Sequence, residues 1–326
     1  GDEVIIPSYN FPSAANAVLL HGGVPVLCDI DGDTQNISVE DMLGRIGPRT
    51  RAVVAVHYGG VSCPMMELKE ALRAAGIALI EDAAQGIGAF YVGMGMDGTG
   101  LWNGRQDGDG PHRFPLGSMG DFGALSFHHT KNITCGEGGI LIARSRKDYR
   151  TACQYRLHGT DRAMYLAGEV DRYTWNMPGS CTAMSELQAA VLASQMELLE
   201  DVTSRRRAIV DGYRDRLRVL EEKGIARLMG IPGYAEPNGH IFYLRFETGA
   251  QRDYVKDFLA HREIESKTHY VPLHMSPQGQ RLGYRADDLM EASKCFETLL
   301  RLPVHGQMVG EQMEFVAGMV LKACGL

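Results

Sequence analysis

Lys131 stands in the stretch Ser126-Phe127-His128-His129-Thr130-Lys131-Asn132-Ile133-Thr134-Cys135-Gly136-Glu137-Gly138-Gly139. It lies on a short polar loop after the apolar run Ala124 to Phe127, and a Gly136–Gly139 turn leads on into a second strand-like run, Ile140 to Ala143. Such a loop holds one amine at the rim of a sheet, where it can form a Schiff base with a carbonyl cofactor. Upstream, Glu81-Asp82-Ala83-Ala84-Gln85 ends the apolar run Ile77 to Ile80. Asp82 is then an acid for a pyridine nitrogen, as Lys131 is an amine for an aldehyde. A carboxylate against a pyridine nitrogen keeps it protonated, so the ring accepts the electrons released when a Cα–H bond breaks. Burial beside a cationic ring would lower the pKa of Lys131 toward the value a proton shuttle needs. The pair points to pyridoxal 5'-phosphate.

Each residue also has a plainer explanation. An aspartate after a buried strand caps the next turn, and most lysines are solvated surface charges. Ser126 can bond a cofactor phosphate or merely its own backbone. Gln85 can meet a ring hydroxyl or fill a polar gap. Phe11, just past the first strand, can stack on a ring or belong to the core. His57, His128 and His129 show no metal-ligand partner pattern, so no metal is expected. The glycines at 136–139 read as a tight hairpin that needs glycine dihedrals. The functional reading rests on the set, because its members fall in order at the strand ends of one sheet.

Those strands are legible as an alternation. Val4–Ile6 reads as a strand, 12–20 as a helix stopped by Gly22-Gly23, and 26–30 as a strand. Ser38, with an acid three residues on, caps a short helix. Ala52–Val56 and Ile77–Ile80 are continuous apolar strands flanking a helix from Met65 to Ala75. Apolar strands without period-two alternation, separated by helices, predict an α/β fold whose mostly parallel sheet has helices on both faces. Ligands then gather at the carboxyl ends of the strands, where His57, Asp82 and Gln85 fall. Gly93 to Phe114 is rich in glycine and reads as a mobile surface insertion. Its Gly93-Met94-Gly95-Met96-Asp97-Gly98 matches a dinucleotide fingerprint in form only, since no helix pattern follows. Spacing predicts a helix from Ser185 to about Leu220 with Leu187, Val191, Leu198 and Val202 on one side. Arg205-Arg206-Arg207 reads as a solvated face of it. A smaller C-terminal α+β domain follows, with a strand over 241–246, a helix over 252–261 and a closing helix from Gly310. The boundaries are 1–200 for the large domain, with the insertion at about 93–114, and 201–326 for the small one.

The chain has 326 residues, 44% hydrophobic and 22% charged, which suits a globular enzyme. A net charge of -7 argues against a general nucleic-acid binder. The seven cysteines are scattered, without a Cys-x-x-Cys pair, and read as reduced residues of a cytoplasmic protein. No run reaches transmembrane length and no signal peptide opens the chain, so no membrane partner is expected. The chain begins at Gly1 almost inside a strand, so an upstream piece is expected to precede it.

Glu81-Asp82-Ala83-Ala84-Gln85, the Ser126–Gly139 block, Arg156-Leu157-His158-Gly159, Gln188-Ala189-Ala190 and Arg301-Leu302-Pro303 resemble the DegT/StrS-type nucleotide-sugar aminotransferases. These have fold type I of the pyridoxal phosphate-dependent transferases, and the likeness runs through the chain apart from the insertion. Val56-His57-Tyr58-Gly59-Gly60, Asp171-Arg172-Tyr173-Thr174-Trp175 and Tyr270-Val271-Pro272-Leu273-His274 are similar to a subgroup within that family. Its members convert dTDP-4-keto-6-deoxyglucose to dTDP-4-amino-4,6-dideoxygalactose, in the biosynthesis of cell-surface polysaccharide. The resemblance implies that Lys131 carries the Schiff base and Asp82 holds the pyridine nitrogen. It places Gln85 near the ring oxygen, Ser126 on the phosphate and Phe11 against the ring face, with Arg156, His240 and His269 near the sugar nucleotide. It implies L-glutamate as amino donor and a homodimer with shared active sites. Dehydratases of the family carry histidine at the lysine position, so Lys131 favours transamination. The rival expectations are a truncated non-catalytic relative and a sugar aminotransferase or dehydratase of other regiochemistry.

Overall fold

The computed structural model describes residues 1–93 and 111–326. Its first part alternates strand and helix: β1 (Glu3–Pro7), α1 (Ser13–Leu20), β2 (Val24–Cys28), α2 (Val39–Gly44), β3 (Thr50–Val56), α3 (Met65–Arg73) and β4 (Ala78–Asp82). A hairpin of β5 (Phe90–Gly93) and β6 (His112–Pro115) follows, then β7 (Phe122–Ser126) and β8 (Gly139–Ala143). The main sheet runs β2-β1-β3-β4-β7-β8, parallel except for the last pair. Helices carry the chain between the parallel strands β1 to β4, the β5/β6 hairpin carries it from β4 to parallel β7, and both faces of the sheet are covered. For that reason Ile5, Ile6, Val53 and Ala55 are fully buried although they are consecutive or nearly so. Ser38 does cap α2, its side chain accepting from the Asp41 amide. The strand order reverses at β1, which opens a crevice between the ends of β1 and β3.

The second part holds α4 (Arg146–Arg156), α5 (Arg162–Leu166), α6 (Glu186–Met196), the long α7 (Leu199–Glu222), β9 (Ala226–Leu228), β10 (Ala235–Glu236) and β11 (Phe242–Phe246). It closes with α8 (Gly249–Ala260), α9 (Pro277–Arg281), α10 (Met290–Thr298), β12 (Leu299–Leu302) and α11 (Gly310–Ala323). A small antiparallel sheet, β12-β11-β9, packs with α7, α8 and α11. One core cluster joins it to the main sheet: Ile6, Tyr9, Val56 and Tyr58 pack with Tyr213, Phe242 and Tyr243. The Tyr213 and Phe242 rings stack at 5.1 Å.

Four readings of the sequence change here. The insertion expected over about 93–114 is ordered at its ends, since Gly93 pairs with His112 and Tyr91 with Phe114, whose side chain is buried. Its middle, including nearly all of the fingerprint-like glycine run, lies outside the described residues. The connection from β7 to β8 is a loop over 127–138, because Ser126 pairs with Gly139; only Gly136 within the glycine run takes a left-handed φ, of 86°. The helix expected over 185–220 is two helices, and its apolar stripe turns outward: Leu187 is 83% exposed and Leu198 50%, whereas Leu192 is buried. Finally, the Arg205–Arg207 run is not a solvated face. Arg206 is buried, donating to the carbonyl oxygens of Gly239 (3.1 Å), His240 (2.8 Å) and Val304 (3.2 Å). Arg207 pairs with Glu236 at 2.7 Å, and Arg205 alone of the three is exposed.

Candidate active site

Adjacent carboxylates on β4 take opposite faces, as strand geometry requires. Glu81 is fully buried under the sheet and accepts from His57 Nε2 (2.9 Å) and from the amides of Gly117 (2.9 Å), Met119 (2.6 Å) and Gly120 (2.5 Å). Burial alone would raise its pKa, but the His57 hydrogen bond and those amides hold it below the ordinary range. The Cys63 amide donates to His57 Nδ1 at 3.1 Å, which leaves the ring proton on Nε2, facing Glu81.

Asp82 faces the other way, at the end of β4, with Oδ1 accepting from the Ala84 amide at 3.1 Å. Burial raises its pKa; the Ala84 amide, the Lys131 charge, His57 and Asn10 temper the rise. Lys131 shows the mirror effect. Burial lowers its pKa, the Asp82 charge opposes that and the Arg301 charge adds to it. The charges of the two residues therefore act on each other across a partly buried space. Asp82 pairs with Ala124 across the β4/β7 ladder, so Ser126, two residues on, points to the same face. Its Oγ accepts from the His128 amide at 3.4 Å.

The loop holds Lys131 by anchors on either side. Phe127 and Ile133 are both fully buried, and the Phe127 carbonyl accepts from the Cys135 amide and the Thr134 hydroxyl, each at 3.1 Å. Next to the lysine, Asn132 Oδ1 accepts from His240 Nδ1 at 2.9 Å, leaving the His240 Nε2 lone pair without a partner among the described residues. Burial and the charges of Lys131, Arg206 and Arg301 push the His240 pKa well down, so the ring is neutral. Fully buried Asn238 stitches these parts together, donating to the carbonyls of Gln85 (2.7 Å) and Ile87 (2.8 Å) and accepting from the His240 amide (3.0 Å). Gly60 must be glycine against it: φ is 77°, and a Cβ would lie 2.1 Å from Asn238 Oδ1.

Gln85 Oε1 accepts from the Gly59 amide at 2.7 Å, and its Nε2 donates to the Tyr270 hydroxyl at 3.3 Å. The Tyr270 ring stacks on His269 at 4.4 Å and meets the exposed Phe11 ring edge-on at 6.1 Å. His269 sits between Arg301 Nη1, which donates to its Nε2, and the Tyr58 hydroxyl at its Nδ1. Burial and the Arg301 charge lower its pKa well below normal.

Of the residues expected from sequence, Lys131, Asp82, Gln85, His240 and His269 thus converge on one space, with Phe11 and Ser126 at its edge. Arg156 does not join them. It is exposed at the end of α4, beside Tyr149. Asn132, Asn238, Tyr58, Tyr270 and Arg301 were missed as site residues. The first lies next to the lysine, and Tyr58, Tyr270 and Arg301 lie inside motifs quoted for the resemblance; Asn238 carries no signal beyond an Asn-Gly turn. The histidines at 128 and 129 do find a partner in Glu137, their ligand atoms lying within 4.8 Å of one another on the exposed side of the loop. His128 Nδ1 there is bonded to Thr130 at 2.9 Å. A cavity of about 600 Å³ lined by Asp31, Asp33, Glu40 and Glu67 lies elsewhere and shares no residue with the lysine group.

The donor set fits a phosphorylated pyridine aldehyde: a carboxyl for the ring nitrogen, an amine of lowered pKa for the aldehyde, and a hydroxyl on the same sheet face for the phosphate. The buried Arg301 Nε, which has no partner among the described residues, leaves a donor for such a guest.

A model of the DegT/DnrJ/EryC1/StrS aminotransferase family matches residues 1–321. Among solved structures, the aminotransferase TlmJ from Streptoalloteichus hindustanus is similar, with 27% identity and a TM-score of 0.84 over 100% of this chain and 80% of that one. NtdA from Bacillus subtilis, solved with bound cofactor PMP, shows 25% identity and a TM-score of 0.83 over 100% of this chain and 68% of that one. The putative sugar aminotransferase Spr1654 from Streptococcus pneumoniae, in its PLP-form, shares the fold at 22% identity, with a TM-score of 0.84 over 100% of this chain and 81% of its own.

Proposed function

This chain belongs to the DegT/DnrJ/EryC1/StrS aminotransferase family, and from that premise we propose that it moves the amino group of L-glutamate to a nucleotide-linked 4-keto-6-deoxy sugar. The enzyme is a pyridoxal phosphate-dependent sugar aminotransferase; the reading goes further, to dTDP-4-keto-6-deoxyglucose as acceptor and dTDP-4-amino-4,6-dideoxygalactose as product. The observation that carries it is the placement of Asp82 at the end of β4 beside β7, whose following loop carries Lys131, with each charge acting on the other across a partly buried space. The finer substrate assignment is supported by the subgroup-like stretches at 56–60 and 270–274, since Tyr58, Gly59 and Tyr270 all stand around that space.

When bound, pyridoxal phosphate supplies an aldehyde for the amine and a ring that accepts electrons from a breaking Cα–H bond. Asp82 keeps a proton on the ring nitrogen, its charge stabilised by the Ala84 amide. Lys131 Nζ, its pKa lowered by burial, takes the proton from the substrate carbon and returns it, giving about 10²–10⁴-fold in rate. Ser126 would hold the phosphate and Phe11 would cover the ring, while Gln85, which braces the Gly59 turn against Tyr270, would face the ring oxygen. Neutral His240 offers Nε2 to a sugar hydroxyl, with Asn132 fixing its tautomer. His269 has both nitrogens engaged and shapes the sugar side of the site through Tyr58.

The active unit is a homodimer. Apolar α6 buries Leu192 alone of its residues and leaves Leu187 and Val191 exposed, and Leu166, Tyr173 and Trp175, in and after α5, are exposed as well. A second copy covering that face brings exposed Arg156 toward the partner's sugar nucleotide. The division at residues 200 and 201 is part of the same proposal. So is a cytoplasmic setting, in keeping with seven free cysteines; no helix among the described residues is long and apolar enough to cross a membrane. The test is product identification by mass spectrometry after incubation with L-glutamate and thymidine-diphosphate keto sugars, with 2-oxoglutarate release followed in parallel. Release without an aminated 4-keto sugar product would sink the substrate assignment and leave the family assignment intact.

A further inference from the structure

The ladder that pairs Ser126 with Gly139 continues one step past the strands, since the Phe127 amide donates to the Gly138 carbonyl at 2.8 Å. One position further on, His128 and Glu137 fall opposite each other, and His128 Nε2 lies 3.5 Å from Glu137 Oε1. Among the described residues that imidazole is the one ionic partner of Glu137. His129 joins them: its ring centroid lies 3.9 Å from that of His128, and one ligand atom from each of the three residues lies within 4.8 Å of the others. The backbone beneath is held, because the Glu137 carbonyl accepts from Gln188 Nε2 at 2.8 Å and the Gly136 amide donates to Thr134 Oγ1 at 3.0 Å. The side chains of His129 and Glu137 are exposed and free to turn on it.

Two imidazoles and one carboxylate suit a divalent cation of the zinc class, which takes nitrogen ligands, rather than magnesium or calcium, which take oxygen. In a tetrahedral zinc site, bonds of about 2.0–2.1 Å put neighbouring ligand atoms about 3.4 Å apart. His128 Nε2 and Glu137 Oε1 already stand at that separation, and rotation of the exposed His129 ring supplies the third ligand. The far side of the His128 ring is prepared as well: Nδ1 lies 2.9 Å from Thr130 Oγ1 and accepts from the Thr130 amide at 3.3 Å. With the Nδ1 lone pair so used, the ring proton stands on Nε2, toward Glu137. A metal on Nε2 moves that proton to Nδ1, where the Thr130 hydroxyl oxygen accepts it. We propose that His128 Nε2, a ring nitrogen of His129 and a Glu137 carboxylate oxygen bind a zinc-class divalent cation, with the fourth position open to water. The ion clasps the base of the loop on which Lys131 stands, joining two residues that enter the loop to one that leaves it. The site takes no part in the chemistry of Lys131 and Asp82 and stands whether or not the aminotransferase reading does.

The experiment titrates Zn²⁺, and separately Mg²⁺, into the full chain freed of metal by a chelator, with binding followed by calorimetry and folding by thermal melting. Wild type is compared with Thr130→Val, His129→Ala and Glu137→Gln. Wild type should take up one tightly held zinc per chain and should bind magnesium far more weakly. Thr130→Val, which keeps all three ligands and removes the oxygen behind His128, should weaken zinc binding about 10–100-fold, and His129→Ala and Glu137→Gln should weaken it further. Zinc should also slow hydrogen exchange of the amides at 130–136 in wild type and leave it unchanged in Glu137→Gln. A wild type that binds no zinc would show a plain His128–Glu137 ion pair and overturn the inference. Equal zinc affinity in wild type and in folded His129→Ala and Glu137→Gln, which would mean an adventitious ion held elsewhere, overturns it too, as does magnesium binding as tightly as zinc.

Discussion

Glu81 and Asp82 are neighbours on β4 and face opposite sides of the sheet, one taking four hydrogen bonds under it and the other closing the space above it with Lys131. The buried acid beneath ties His57 and the 117–120 turn to the strand whose last residue is the candidate ring partner. A structural role and a proposed chemical one thus fall on consecutive carboxylates.

Glu81→Gln should cost about 2–4 kcal/mol at pH 7, since it puts an NH₂ among donors that need an acceptor. The wild-type carboxyl is held below its ordinary pKa of 4.5 when folded. Its contribution is therefore full above that value and fades as pH falls through the folded pKa. Denaturant titrations from pH 7 to pH 3 should show a flatter acid limb in the variant, and parallel limbs would refute the assignment.

Asp82→Asn should leave the fold intact, because it removes a buried charge rather than a packed group. Activity should drop by about 10²–10³-fold, the size of effect seen when one preorganised electrostatic group is lost. Steady-state kinetics beside a melting curve separate the two effects. A variant with near-normal turnover would remove Asp82 from the chemistry.

Lys131→Met should abolish the visible band given by pyridoxal phosphate and lower the rate by at least about 10²-fold. Without cofactor the variant should be the more stable protein at pH 7. The folded lysine has a pKa below its ordinary 10.5, so the unfolded chain binds the extra proton between those values and wild-type stability climbs with pH across that window. The variant's advantage should shrink accordingly between pH 7 and pH 10; a constant difference would count against the burial of the amine.

Leu187→Asp with Val191→Asp should give a folded monomer, as both side chains are exposed on α6 and support nothing within the chain. Light scattering would show halved mass, with little change in melting of the isolated subunit. Activity retained in full by such a monomer would argue against shared sites.

Arg206→Leu should destabilise the protein by about 2–4 kcal/mol by stranding the carbonyls of Gly239, His240 and Val304. Burial and the Arg301 charge pull its pKa down to about 10, still charged at neutral pH. Sugar KM should rise with the displaced His240, and an unchanged KM would detach that loop from substrate binding.

The alternation of strand and helix through residue 82, the Ser38 cap and the position of Lys131 were all legible in the chain. They depend on local rules: a strand buried on both faces reads as an unbroken apolar run, and a cap needs partners three residues away. What the glycine run before β8 would do was misread, because a hairpin's loop length is set by which residues pair, Ser126 with Gly139, and not by where glycines cluster.

Sequence alone therefore determined the strand that Asp82 ends, the loop that carries Lys131 and the family those motifs resemble. Only the tertiary structure decided that Asn238 joins Gln85 to His240, that Arg206 lies inside, and that the charge of Arg301 reaches the lysine while its guanidinium bonds His269. Those contacts bring together segments up to 170 residues apart, as with Lys131 and Arg301. Burial of a charged or polar side chain over such separations depends on packing between sheets, which leaves no periodic trace along the chain.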